Sequence, residues 1–390
     1  MKNGKPHGAL FRNNFLPYSE TFIHDELRHH NRYDMTVFAR QWRNRSQFQG
    51  HRVIAVEEIP SRRALMASLI YGATARNRTF DNIFKTEKID IIHAHFGHNA
   101  LYGGYYAKKY NIPMVVSLHG RDVTILLGKD KYRPGYLKYL FGYKQLFKSA
   151  DLFLAASTEL KELIQSVGCP EEKVLVHRLG IDVTNFSPAK QVTSVSQPVI
   201  VMVGRFTEKK GHKYGIEAVK KACDAGFDPM LIIAGDGPLL PEYKKLIISL
   251  NLENNVEFTG SLPHSEILKL IQQAQIVMAP SVVAKNLDRE SGIIVAKEAS
   301  ACSVPVIGTI HGGIPDIIDD GKTGFLVRER DSEALGERLI TLLEDRDLRD
   351  KFGKAARNKM LDEYDIRQKV EELEQIYDDV ICGKYKKINL

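Results

Sequence analysis

The sequence predicts an α/β chain of two Rossmann-like units, each a parallel sheet covered by helices. Three observations predict it. Short β-branched runs alternate with helical patterns along the whole length, which is the signature of a parallel sheet with crossover helices. The alternation comes as two series. Between them lies "IDVTNFSPAKQVTSVSQP" (181–198), a polar stretch with Pro and Ser that reads as a linker.

In the first series, strands are expected at "MTVFA" (35–39), "RVIAVE" (52–57), "IDIIHAHF" (89–96), "PMVVSLHG" (113–120), "LFLAAS" (152–157) and "KVLVHRLG" (173–180). The second series predicts "VIVMVGR" (199–205), "MLIIAGDG" (230–237), "VEFTG" (256–260), "IVMAPS" (276–281), "PVIGT" (305–309) and "TGFLV" (323–327). Domains follow at 1–190 and 191–365. Residues 366–390 form a C-terminal helix that could pack back on the first domain, with Ile366, Val370, Leu373 and Ile376/Tyr377 at helical spacing. In open sheets of this kind, ligands bind beyond the carboxyl ends of the strands, here in the crevice between the domains.

Composition narrows the function classes. No apolar run approaches the roughly 20 residues of a membrane span, and "MKNGKPHGALFRNN" lacks a signal-peptide core. Cys169, Cys223, Cys302 and Cys382 have no paired spacing, so reduced thiols and a cytoplasmic location are expected. Charge is uneven: residues 1–200 carry 28 Lys and Arg against 17 Asp and Glu, and the remainder 27 against 31. A basic half suits an anionic partner, whether nucleic acid, a lipid surface or a phosphorylated substrate. Within it, "KDKYRPGYLKYLFGYKQLFK" (129–148) interleaves cations with aromatics. Tyr136, Leu140, Tyr143 and Phe147 fall on one helical face, either as core or as an interfacial helix on anionic lipid.

The chemistry concentrates in the second series. "RESGIIVAKEASA" (289–301) places Glu290 and Glu298 eight positions apart. Glycosidase carboxyls lie roughly 5–9.5 Å apart. Eight helical residues rise about 12 Å, too far to share one scissile bond. The spacing instead suits two groups gripping a long ligand. If the helix begins near Gly292, the N–H groups of Ser291, Gly292, Ile293 and Ile294 form an anion site between them. Diphosphate there, ribose at Glu298 and hexose at Glu290 describe a nucleotide-sugar. "VGRFTEKKG" (203–211) ends a strand at Gly204-Arg205 and reaches Lys210, two cations able to clamp a pyrophosphate. "AGDGPL" (234–239), with Gly235, and "HGGIPDII" (311–318) are further phosphate-compatible turns.

These motifs, with "ESGIIVAKEASACSVPVIGTIHGGIPDIIDDGKTGFLV" and "HRLGIDVTNFSP", resemble glycosyltransferase family 4. "LPYSETFI" (16–23), "IIHAHFG" (91–97) and "SLHGRDV" (117–123) resemble its exopolysaccharide branch, of the colanic acid and amylovoran type. The resemblance implies the GT-B architecture and a retaining, metal-independent hexosyl transfer without cofactor. The donor would be a UDP- or GDP-sugar and the acceptor a saccharide or lipid-linked saccharide.

It also implies residue roles. Arg205 and Lys210 bind the diphosphate, Glu290 orients the sugar, Glu298 holds the ribose, and the loop at Leu262 borders the base. His119 serves the donor sugar, while Ser19, Glu20, Thr21 and His95 lie on the acceptor side. Many members have Glu-Gly where this chain has Glu290-Ser291, and the usual N-terminal Gly-Gly turn is replaced by "LPYSETFI". Peripheral attachment to the inner face of the plasma membrane is expected, and no nucleic-acid partner. The alternatives are a nucleotide-sugar 2-epimerase of the same architecture and a nucleic-acid-binding protein with aromatic stacking platforms.

Overall fold

A computed structural model describes residues 4–16, 21–46, 48–58, 64–189 and 197–385. It divides into two compact units, residues 1–180 with 366–390, and residues 181–365. The strands of the first are β1 (His7–Phe11), β2 (Asn14–Phe15), β3 (Asp34–Ala39), β4 (Gln41–Trp42), β5 (Arg52–Ala55), β6 (Ile91–His95), β7 (Met114–Leu118), β8 (Leu152–Ala155) and β9 (Val174–Val176). Seven of them form one sheet in the order β5-β3-β1-β6-β7-β8-β9, with β2 and β4 paired separately. Every pairing in the sheet is parallel.

The second unit carries β10 (Val199–Val203), β11 (Met230–Ala234), β12 (Val256–Gly260), β13 (Ile276–Ala279), β14 (Val306–Thr309) and β15 (Gly324–Val327). Their order is β12-β11-β10-β13-β14-β15, again all parallel. Alternate residues of β10 serve opposite faces: Val201 joins one apolar cluster, Ile200 and Met202 the other. That period of two, with both faces apolar, is why these strands read as unbroken hydrophobic runs.

Two expectations need correction, and one alternative is resolved. The N-terminal β1 was not anticipated, because "HGALF" is short and set among polar residues; Ala9, Leu10 and Phe11 are nonetheless buried, with Phe11 stacked on Phe38 at 5.3 Å. The second unit begins at Ile181, inside the stretch read as linker: Ile181, Val183 and Phe186 belong to its core, which the surrounding Asn, Ser and Pro conceal. On the helix Leu137–Ser149, the core alternative describes Phe147, which is buried against Phe153 with Tyr143 packed on it, while Tyr136, Leu140 and Tyr143 are half-buried.

The helix Ile366–Ile381 joins the first unit through Leu373, Tyr377 and Val380. Its buried Glu374 accepts the backbone N–H groups of Asn31 and Arg32, both at 2.9 Å, and so caps the chain after the helix Thr21–His29.

One glycine decides how the second unit's loops meet. Gly211 has φ +65°, and a Cβ there would lie 1.8 Å from the Pro280 carbonyl oxygen. Gly211→Ala is therefore expected to cost at least about 2 kcal/mol, from left-handed strain plus displaced backbone. Urea unfolding reads this directly; an unchanged midpoint would show that the two loops are not packed together.

Candidate functional site

In the second sheet the strand order reverses between β10 and β13, the topological switch point where ligands bind in such sheets. The loops leaving this edge are tied by backbone hydrogen bonds. Gly204 N–H donates to Ala234 at 2.9 Å, Gly235 N–H to Gly260 at 2.8 Å, and Val282 N–H to Lys209 at 2.9 Å. A Cβ on Gly235 would fall 2.0 Å from the Gly204 carbonyl, so the "AGDG" and "VGR" turns touch only because position 235 has none. Leu262, in the next loop, packs on the apolar cluster below.

A charge cluster sits at this edge. Lys210 Nζ lies 3.0 Å from Glu290 Oε2, Lys209 Nζ 3.1 Å from Glu290 Oε1, and Lys209 Nζ 3.5 Å from Asp288. Burial alone would raise the Glu290 pKa; Lys210 and then Lys209 outweigh it and hold the carboxyl at about 2. The Glu290 amide donates to His311 Nε2 at 3.0 Å, and His311 Nδ1 pairs with Glu329 at 2.7 Å. Because the amide can only donate, His311 carries its proton on Nδ1. The Arg205 guanidinium, exposed beside this cluster in sequence, has no side-chain partner among the described residues.

The helix following Glu290 spans Ile294–Ala301, with Ile293 as its N-cap. It starts two residues later than the sequence suggested. Ser291 and Gly292 lie in the bend before it, and the unsatisfied N–H groups are those of its first turn, from Ile294 onward. Glu298 is 4% exposed and accepts from His264 Nε2 at 2.6 Å, so it does not solvate a helix face. The two glutamates are thus held by different partners, Glu290 by lysines and Glu298 by a histidine.

In the first unit the strand order reverses between β1 and β6, and His95 ends β6 at that point. His95 Nδ1 lies 3.0 Å from His119 Nε2, and His95 Nε2 lies 3.1 Å from Glu26 Oε1. The rings of His95 and His119 stack at 5.2 Å, with Phe22 and Phe96 packed on His119. Burial would raise the Glu26 pKa, but His95 and His93 outweigh it and keep the carboxylate ionised. Burial, reinforced by His95, pushes the His119 pKa well below its usual value, so the ring is neutral at pH 7. Asp122 accepts both the Gly97 and the His119 backbone N–H groups, at 2.9 and 3.1 Å, bridging the two loops. Phe96, between His95 and the next helix, has φ +69°, a strained backbone of the kind that clusters at functional sites.

Glu26, His93 and His95 bring ligand-capable atoms within 4.8 Å of one another. Those atoms are already joined by hydrogen bonds: Glu26 with His95, and His93 Nδ1 with the Tyr377 hydroxyl at 2.6 Å. Thr21 begins the helix that carries Glu26, whereas Ser19 and Glu20 lie outside the described residues.

Comparison with known proteins decides what this arrangement belongs to. The family profile described as glycosyl transferases group 1 matches residues 183–359, and that of glycosyltransferase family 4 matches residues 20–185. The chain is 34% identical over 306 residues to the putative colanic acid biosynthesis glycosyltransferase WcaL of Escherichia coli, covering 77% of this chain and 73% of that protein. The chain belongs to glycosyltransferase family 4. It is also 33% identical to the amylovoran biosynthesis glycosyltransferase AmsK of Erwinia amylovora, over 70% of this chain and 67% of the relative. Among solved structures, Anabaena HepE in complex with UDP superposes with a TM-score of 0.74 at 18% identity, covering 96% of this chain and all of that one. Sucrose-phosphate synthase from Thermosynechococcus elongatus gives 0.76, over 97% and 100%. Both confirm the GT-B fold.

In this glycosyltransferase Gly204, Arg205, Lys210, Gly235, Glu290 and the start of the helix Ile294–Ala301 lie on loops around one switch point and His95 and His119 at the other, while Leu262 follows the edge strand β12. Sequence reasoning missed Lys209, Asp288, His264 and Glu329 in the second unit, and Glu26, Asp122 and Tyr377 in the first. Lys209 and Asp288 carried a signal, each being a charge beside a chosen residue. Glu26 carried none, since it meets His95 across 69 positions.

Proposed function

We propose that this glycosyltransferase moves a hexose from a UDP- or GDP-sugar to a saccharide or lipid-linked acceptor, with retention and without a divalent ion, in bacterial surface polysaccharide synthesis. The observation that carries the reading is the Lys209–Lys210–Glu290 cluster beside Arg205 at the second sheet's switch point. Lys209 and Lys210 face Glu290 and Asp288 there, and the exposed Arg205, in the turn after β10, supplies a further cation for a diphosphate. The names of WcaL and AmsK support the polysaccharide pathway, and UDP in HepE supports a uridine donor. Nothing in the comparisons favours an epimerase or a nucleic-acid-binding protein.

In this reading Arg205 and Lys210 absorb the charge that develops as the sugar C1–O bond breaks. The acceptor oxygen forms its bond to C1 on the same face, and its proton passes to an oxygen of the departing diphosphate. Glu290, released from Lys210 by the incoming phosphates, is free to accept sugar hydroxyls. Glu298 takes the ribose, and His119 is the first unit's residue assigned to the sugar.

Thermal melting with UDP, GDP or ADP, without added metal, tests the donor site. The matching nucleotide at about 100 times its dissociation constant should add about 2.7 kcal/mol, and Glu298→Ala should cut that to between about 0.3 and 1.4 kcal/mol. No shift with any nucleotide, in folded protein, would refute the assignment.

No helix among the described residues is long and apolar enough to cross a membrane. Peripheral attachment is part of the proposal. Leu65, Met66 and Leu69 on the helix Ala64–Thr74 are 77, 58 and 59% exposed, and Phe141 is 81% exposed. Lys138 bonds the Gly72 carbonyl at 3.2 Å, joining the two helices, and adds charge beside this apolar surface. Leu69→Glu with Phe141→Glu should abolish sedimentation with anionic vesicles; retention would overturn this role.

A further inference from the structure

Glu290 sits on irregular backbone. Among the described residues no helix or strand lies between the end of β13 at Ala279 and the helix Ile294–Ala301, so no regular element aims its carboxyl. The segment turns back on itself within this span. Ala284 N–H donates to the Asp288 carbonyl at 2.9 Å and Leu287 N–H to the Ala284 carbonyl at 2.8 Å, with Leu287 at φ +64°.

One carboxylate ties both ends of that turn. Glu329 follows β15 and His311 follows β14, neighbouring strands paired in parallel. Before the turn, Glu329 Oε2 accepts the Val283 N–H at 2.8 Å. After it, the Glu290 N–H donates to His311 Nε2 at 3.0 Å, and His311 Nδ1 donates to Glu329 Oε1 at 2.7 Å. Arg330, next along, donates to the Val283 carbonyl at 2.6 Å. The His311 side chain is 0% exposed, so water cannot replace either of its partners. Chemistry fixes the direction of this chain. A backbone amide only donates, so His311 Nε2 must be a lone pair and the ring proton sits on Nδ1, facing Glu329.

The support matters most once a donor is bound. Phosphates that draw Lys210 away leave Glu290 with Lys209 at 3.1 Å and with its own N–H held by His311. A hydrogen bond to a residue's N–H fixes its Cα, the origin from which its side chain reaches. A group moved by about 1 Å can lose on the order of 10²-fold in productive positioning.

We propose that His311 and Glu329 are positioning residues for the donor sugar, a carboxylate–imidazole strut that sets where Glu290 meets the sugar hydroxyls. This rests on the reading of Glu290 as the sugar-orienting group.

The experiment measures dissociation constants by calorimetry for two pairs of probes, UDP with UDP-glucose and GDP with GDP-mannose. For the pair that binds, the constant of the sugar nucleotide divided by that of the bare nucleotide isolates the sugar contact. Asparagine places its amide near the Nδ1 position of a histidine, and glutamine near Nε2. His311→Asn therefore keeps a donor for Glu329 but loses the acceptor for Glu290, and should raise the ratio at least about tenfold. His311→Gln restores that acceptor and should bring the ratio to within about threefold of wild type. Glu329→Gln turns an amide NH2 toward either Val283 N–H or His311 Nδ1–H, and should raise the ratio as well. An unchanged ratio in His311→Asn or Glu329→Gln overturns the proposal, as does an equal rise in His311→Asn and His311→Gln, which marks a merely structural role. Glu290→Ala separates the two levels of the reading. An unchanged ratio there, or binding of neither pair, refutes the donor-site reading itself, whereas a raised ratio there with none in His311→Asn removes the strut alone. Wild type supplies a test that no misfolded variant can spoil. A scalar coupling across the hydrogen bond between the Glu290 amide nitrogen and His311 Nε2 is expected by NMR, and its absence overturns the proposal.

Discussion

Lys210→Ala is expected to lower kcat by about 10²–10³-fold, the scale for removing one donor aimed at developing charge. Nucleotide affinity should fall much less, because the Arg205 guanidinium and the turn N–H groups remain. The split matters, since a group that served ground state and transition state alike would change KM rather than kcat. Collapsed binding with surviving turnover would therefore remove Lys210 from the transition state.

The same variant has a signature in acid that does not depend on catalysis. The Glu290 carboxyl, at about 2, lies below its ordinary value of 4.5 because Lys210 and Lys209 outweigh burial. A depressed carboxyl contributes stability that is complete above its unfolded pKa and lost as pH falls through the folded one. Wild type should accordingly lose stability from about pH 4.5 down toward 2. Lys210→Ala leaves Glu290 with only Lys209 at 3.1 Å, so its acid loss should be smaller and its stability at pH 7 lower. Urea midpoints across that range read both effects.

Glu298→Ala is expected to weaken nucleotide binding by about 1.5–3 kcal/mol, the value of a hydrogen bond to a charged group. That corresponds to roughly 10–150-fold in Kd. The structure sharpens the reason. Oε1 accepts from His264, which fixes the carboxylate's orientation and leaves Oε2 for a ribose hydroxyl. Glu298→Gln should show an intermediate loss, as the amide keeps an acceptor but not the charge. Calorimetric titration of all three proteins tests this; equal affinities would remove Glu298 from the ribose.

What could be read from sequence follows the range of the physics involved. Strands such as "VIVMVGR" and "MLIIAGDG" were legible because burial on both faces leaves a continuous apolar run ended by a glycine turn. The boundary near Ile181 was not, because the apolar residues at 181, 183 and 186 are diluted by polar neighbours and signify only once packed. The site divides in the same way. Glu290, Glu298 and the turn glycines announce themselves through local spacing. The pairing of Lys210 with Glu290 spans 80 positions, and the contact of Glu374 with Asn31 spans 343. No window along the chain contains either. Ser19 and Glu20 lie outside the described residues, so their acceptor-side assignment rests on resemblance.

The return of the helix Ile366–Ile381 to the first unit has a consequence for how the chain is made. Domains usually fold in order as they leave the ribosome. Here the groups that cover Tyr33, Ile91 and Val115, namely Leu373, Tyr377 and Val380, are synthesised only after the whole second unit. During translation the first unit therefore waits with an apolar strip uncovered and the Asn31 and Arg32 amides uncapped, while the second, continuous from 181 to 365, can fold on its own. The half of the enzyme that emerges first is the half that is finished last.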